Sequence, residues 1–241
     1  MKRKNRYKHV IKSIATRCIS GLFLLFFSVN IQAMKSDINL IKTTSGFFLV
    51  PIKIGHAPLL FLIDTGSTSS VIDSKLVPSI KSNVTMMKDE VTGYATGTEQ
   101  LTMQQVSVSE FSVADRPPLK IQAVIQPIGP MFEGLYSKPI SGILGIDVIS
   151  KMGLSLSLED ASLTNLAVTV DTSKFAKEFT SVPIKLSSLG IPQIDVNING
   201  KELSLLLDSG SAEIMIDDVK AKRLFSEQIH YPPELKTMDE F

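Results

Sequence analysis

Across its 241 residues the sequence has one cysteine, Cys18, and three histidines, His9, His56 and His230, far apart in the chain. A disulfide framework and a cysteine-held metal are therefore excluded. The histidines stand near no suitable Asp/Glu cluster, so neither a metal site nor a cofactor is expected. Low charge (20%), 14 glycines and 12 prolines leave no composition for a disordered chain, while 44% apolar content suffices for a core. Acid is missing from residues 1–33, which hold seven Lys and Arg (Lys2, Arg3, Lys4, Arg6, Lys8, Lys12, Arg17). Taking those seven from the 25 basic residues leaves 18 against 24 acidic ones, a net −6 behind an overall +1. A mildly acidic body gives no reason to expect nucleic acid as a partner.

The basic start runs into an apolar stretch, 19–31, and then Ile31-Gln32-Ala33. This order predicts a secretory signal peptide over 1–33, with cleavage after Ala33; the apolar run is short for a membrane span. Ile31 is larger than that cleavage site favours, so an uncleaved N-terminal anchor stays open, and it is the one membrane contact expected. Cys18 precedes the apolar core, which argues against a lipoprotein site. The body is expected outside the cytoplasm: periplasmic or secreted, or held at the inner membrane by its leader.

The body of the chain is organised around a stretch written twice. Leu59-Leu60-Phe61-Leu62-Ile63 delivers Asp64 onto Thr65-Gly66-Ser67, and Leu203-Ser204-Leu205-Leu206-Leu207 delivers Asp208 onto Ser209-Gly210-Ser211. An offset of 144 aligns 38–73 with 182–217 without a gap, with nine of 36 positions identical, including Gly46/Gly190, Leu62/Leu206, Asp64/Asp208 and Gly66/Gly210. A duplicated lobe is the reading. On the same offset the counterparts of Gly93 to Thr98 fall at 237–242 and those of Ile143-Leu144-Gly145 at 287–289, while the sequence ends at Phe241, so the second copy is expected to be incomplete. The predicted organisation is a leader (1–33), lobe one (34–170), a linker (171–181) and a partial lobe two (182–241).

Short apolar runs between turn signals predict an all-β body with barrel-like closure. Strands are expected at 38–41, 47–54, 59–63, 71–72, 106–113, 119–125, 140–144, 154–158 and 163–170, and a hairpin at 91–106 with Gly93 and Gly97 near its tip. Asp73 is expected to cap a helical turn ending before Pro78, and Asp147 to cap a short helix at 148–152.

Two carboxylates on tight Gly turns at strand ends are the constellation for acid–base hydrolysis without a metal. A close pair holds one shared proton; one oxygen draws a proton from water while the protonated partner bonds a peptide carbonyl. FLIDTGSTSSVID followed by SGILGIDVI resembles a lobe of the retropepsin-type aspartic proteases, including exported bacterial relatives of the retroviral enzymes. The resemblance implies a retropepsin-like closed β-barrel lobe plus a partial second copy. It implies Asp64 and Asp208 as catalytic acid and base, and Thr65 and Ser209 as a hydroxyl lock between lobes. Gly66 and Gly210 would support the turns, and Ser67 and Ser211 would bond the outer carboxylate oxygens. Tyr94 and Gly97 would sit on a flap closing over a peptide or protein substrate bound as an extended strand. Two pairings stay open: Asp64 with Asp208 in one chain, or Asp64 twice in a homodimer through lobe one. Beside an active aspartic endopeptidase stand two rivals, a non-catalytic peptide-binding or dimerisation module and an inactive relic of a two-lobed protease.

Overall fold

The computed structural model describes residues 37–94, 100–165, 180–198, 200–216 and 221–222. The leader, Gly97 of the expected hairpin tip and most of the linker expected at 171–181 lie outside the described residues.

The fold is all-β. In lobe one, β1 (Ile38–Asn39), β2 (Ile41–Lys42), β3 (Phe48–Ile54), β4 (Ala57–Ile63) and β5 (Val71–Asp73) come first. A long hairpin of β6 (Val84–Tyr94) and β7 (Gln100–Val113) comes next, then β8 (Leu119–Gln126), β9 (Gly142–Leu144), helix α1 (Ile146–Lys151), β10 (Leu154–Ser157) and β11 (Ser162–Asn165). One sheet runs β2-β3-β4-β9-β5-β8-β7-β6, and β3 also pairs with β7 (Ile52 opposite Val113, Ile54 opposite Phe111), which closes it into a barrel.

Strand β4 explains the unbroken apolar run before Asp64. Phe61 and Ile63 point into the barrel core, with Phe61 edge-on to Phe111 at 5.8 Å. Leu62 faces the other way, packing with Leu49 and Ile140. A strand covered on both faces cannot alternate with polar residues. Truncating the fully buried Phe61 to alanine would cost about 3–5 kcal/mol. Strand β9 lies beside β4 in parallel, Ile63 opposite Leu144, and against β5 on its other side. Gly142 permits this: a Cβ there would come within 2.4 Å of the Phe61 ring and 2.5 Å of the Val71 carbonyl.

Three local expectations need correcting. The hairpin is far longer than 91–106, because its pairing continues across a register shift between Met86 and Glu90 as far as Val84 opposite Val108; a second shift, between Val108 and Phe111 with Glu110 at φ 53°, lies in the pairing of β7 with β8. Asp73 does cap, accepting from Lys75 N (3.1 Å), but the 3-10 helical segment runs Ser74–Asn83 through Pro78. Asp147 is not the cap of α1. Gly145 holds that position and Asp147 lies in the first turn, its carboxylate taken by Ser70.

The second copy has β12 (Lys185–Leu186), β13 (Pro192–Ile198) and β14 (Lys201–Leu206) in one three-stranded sheet. Its registers match lobe one 144 positions back: Gln193 opposite Leu206 where Leu49 faces Leu62, and Lys185 opposite Gln193 where Ile41 faces Leu49. Gly190 (φ 79°) turns as Gly46 (φ 88°) does. Burial differs: Leu62 is 2% exposed and Leu206 50%. Among the described residues, no strand lies on the outer edge of β14 as β9 lies on β4.

Candidate active site

Asp64 leaves β4 where that strand is clamped between β3 and β9, and its N–H donates to the Leu144 carbonyl (3.0 Å). The chain then folds back so that Gly66 N and Ser67 N both donate to Asp64 Oδ1 (2.8 and 2.9 Å). Asp208 leaves β14 in the same way, with Gly210 N donating to its Oδ1 (2.7 Å).

The two turns are clasped to each other. Thr65 N donates to Ser209 Oγ (3.1 Å) and Ser209 N to Thr65 Oγ1 (3.0 Å). Each hydroxyl proton then crosses to the strand leading into the other turn: Thr65 Oγ1 donates to the Leu207 carbonyl (2.6 Å) and Ser209 Oγ to that of Ile63 (3.0 Å). A hydroxyl is required at both positions, because each must accept and donate at once.

Above the clasp each carboxylate lies against the other turn's glycine. A Cβ on Gly66 would stand 2.6 Å from Asp208 Cγ and 2.8 Å from both its oxygens; one on Gly210 would stand 2.5 Å from Asp64 Cγ and 2.8 Å from both of its oxygens. Glycine here makes room for the opposite acid. Burial pushes the Asp64 carboxyl up to about 7, helped by the charge of Asp208 and a hydrogen bond with it, against the two turn N–H groups, which pull it down. The arrangement can therefore hold one proton between two acids and leave the other acid free to act as a base.

The structure brings Asp64, Thr65, Gly66, Ser67, Asp208, Ser209, Gly210 and Ser211 together within one chain. It redirects two hydroxyls: Ser67 Oγ donates to the Ser69 carbonyl (2.8 Å) and Ser211 Oγ to that of Glu213 (2.8 Å), not to the outer carboxylate oxygens. A hydroxyl has one proton, and here the open turn carbonyls take it. Tyr94 is the last residue of β6, its backbone opposite Gln100. Among the described residues no group of three His, Cys, Asp or Glu side chains could hold a metal.

Sequence reasoning missed Ser70, which is fully buried behind the Asp64 turn. The available signal was the repeat itself, since Ser70 corresponds to Ile214 and so breaks the pattern.

Residues 50–148 match the family described as aspartyl protease, a span from β3 into α1 that contains the Asp64 turn, the β6–β7 hairpin and β9. Over that span the chain is similar to the aspartyl proteases. Solved structures similar to this chain include a retropepsin-like aspartic protease from Rickettsia conorii (12% identity, TM-score 0.35, 54% of this chain and 89% of that one). They also include EIAV protease complexed with the inhibitor HBY-793 (17%, 0.35, 54% and 98%) and the retroviral protease-like domain of Ddi1 from Leishmania major (13%, 0.34, 52% and 90%). No curated protein matches the chain.

Proposed function

We propose that the chain is an endopeptidase that hydrolyses extended peptide segments with a water activated between Asp64 and Asp208 of the same chain. The observation that carries the reading is the reciprocal seat of each carboxylate on the other turn's glycine, locked by the Thr65–Ser209 clasp. The place a second chain's Asp64 would take in a lobe-one homodimer is filled by Asp208, which favours the in-chain pair.

In this mechanism the shared proton rests on Asp64, where burial favours the neutral form, and Asp208, the more exposed acid, takes the part of the base. Water sits between them. Asp208 takes a proton from it as its oxygen attacks the peptide carbonyl carbon, and Asp64 gives its proton to the carbonyl oxygen, forming a tetrahedral diol. Asp208 then passes its proton to the amide nitrogen and Asp64 takes one back from a diol hydroxyl. The C–N bond breaks, and an acid and an amine leave. The substrate lies as a strand under the β6–β7 hairpin. Residues 1–33 would direct this activity out of the cytoplasm, to the periplasm or beyond.

One observation favours a non-catalytic second reading. The second sheet leaves Leu186 70%, Leu189 69% and Ile214 79% exposed, so burial contributes little to holding the Asp208 turn in place. A binding module would keep the cleft and lose turnover. Cleavage of a peptide library by the full chain across about pH 3.5–7 separates the two. The protease reading expects cleavage that resists a chelator and is blocked by a peptide bearing a secondary alcohol in place of the scissile carbonyl, which mimics the tetrahedral diol. Binding of that peptide with no cleavage of any library member would establish the module instead.

A further inference from the structure

The Asp64 turn is tied from behind to the corner between β9 and α1, and the ties end on two side chains that the proposed chemistry does not use. Ser70 Oγ accepts from Gly145 N (3.0 Å) and donates to Asp147 Oδ1 (2.9 Å). Its carbonyl accepts from Val124 N (3.0 Å) in β8. Between these ties Ile146 N donates to the Ser67 carbonyl (2.9 Å), next to the Asp64 N–H bond to Leu144. Gly145 is the seat, since a Cβ there would lie 2.8 Å from the Ser69 carbonyl carbon and 2.9 Å from the Ser67 oxygen.

A buried side chain at 70 must accept from an amide and donate to a carboxylate at once, which a hydroxyl does and an apolar group cannot. The counterpart of Ser70 in the second copy is the exposed Ile214, so the Asp208 turn has no such tie. The brace ends at Ser67, whose N–H is one of two donors on Asp64 Oδ1.

We propose that Ser70 and Asp147 are positioning residues that hold the Ser67 N–H on Asp64 Oδ1 and so fix the orientation of this one carboxyl. The proposal rests on the dyad reading above and makes the dyad asymmetric, with one acid braced and the other clasped. Among the described residues Asp208 is the charged group that acts on Asp64, facing it across the clasp, while Asp147 stands behind the turn beyond Gly145.

The test tracks the Asp64 carboxyl by carbon NMR titration in the full chain, with turnover measured alongside. In Ser70→Ala the Ser67 N–H loosens, the carboxylate loses a donor, and the Asp64 midpoint rises by about half a pH unit or more. Turnover number falls about tenfold, with KM within about twofold of wild type. Ser70→Thr keeps the hydroxyl and both wild-type values. Asp147→Asn keeps an acceptor oxygen, and losing a like charge can only lower the midpoint. If Ser70→Ala does not fold, Ser70→Cys, a weak donor of similar volume, takes its place. An unchanged midpoint in the variant, or a rise in Asp147→Asn, overturns the proposal. The titration needs no turnover: a risen midpoint in a chain that cleaves nothing sinks the protease reading and leaves the positioning intact.

Discussion

Replacing Thr65 with valine tests whether the clasp holds the two acids together. Valine keeps the shape of threonine and removes two bonds, the 2.6 Å donation to Leu207 and the 3.0 Å acceptance from Ser209 N. At about 1 kcal/mol net each, the loss is about 2 kcal/mol, and about 4 if the abandoned carbonyl and amide find no water. Every described residue of β13 and β14 is half-buried or exposed, so little burial offsets that loss. A change of about 2–4 kcal/mol moves the docked-to-undocked equilibrium of the Asp208 turn by about 30- to 700-fold. Amide hydrogen exchange reads it directly: protection of Ser209 and Gly210 N–H should fall by that factor while β3 and β4 keep theirs. Thr65→Ser should exchange as wild type. Ser209 protection within about threefold of wild type in Thr65→Val, or equal losses in β3 and β4, would refute the reasoning.

Further expectations concern the acids and glycines. The Asp64 carboxyl is raised from its usual 3.8 to about 7, so between those values the native state binds more protons than the unfolded chain. Its stabilising contribution is therefore full below about pH 4, is lost as pH rises through 7, and is flat above. Urea midpoints of wild type and Asp64→Asn, compared from about pH 4 to 8, should show that slope shrink in the variant; an equal slope contradicts the assignment. Gly66→Ala and Gly210→Ala place a methyl within 2.6 and 2.5 Å of the opposite Cγ, so a carboxylate must move about 1 Å and peptide turnover should drop about 100-fold or more with lobe one still folded. Gly142→Ala instead drives a methyl into the Phe61 ring and the Val71 carbonyl, and should lower the denaturation midpoint of lobe one by the equivalent of about 1–3 kcal/mol.

Strand-level features are legible in the sequence because they are local. The apolar runs into Asp64 and Asp208 are β4 and β14, and the 144-residue offset that aligns the sequence also aligns the pairing of β2–β3–β4 with that of β12–β13–β14. The site residues at both turns are readable because a carboxylate on a tight Gly turn has a short-range signature. Closure of the barrel through Ile52 and Val113 is not, since pairing across some 60 residues leaves no trace in periodicity. The acceptors of the Ser67 and Ser211 hydroxyls also escape the sequence, because whether a carboxylate or a turn carbonyl takes each proton depends on the fold around them. Asp147 looks like a cap from its place before an apolar run, yet a buried serine 77 residues earlier claims it.

The most direct test of the in-chain dyad is peptide cleavage by Asp64→Asn, by Asp208→Asn, and by an equal mixture of the two. If Asp64 and Asp208 act within one chain, each variant is inactive, and mixing restores nothing, since every chain lacks one of its acids. Cleavage by Asp208→Asn alone at wild-type rates would show that Asp64 works without Asp208 and would contradict the account.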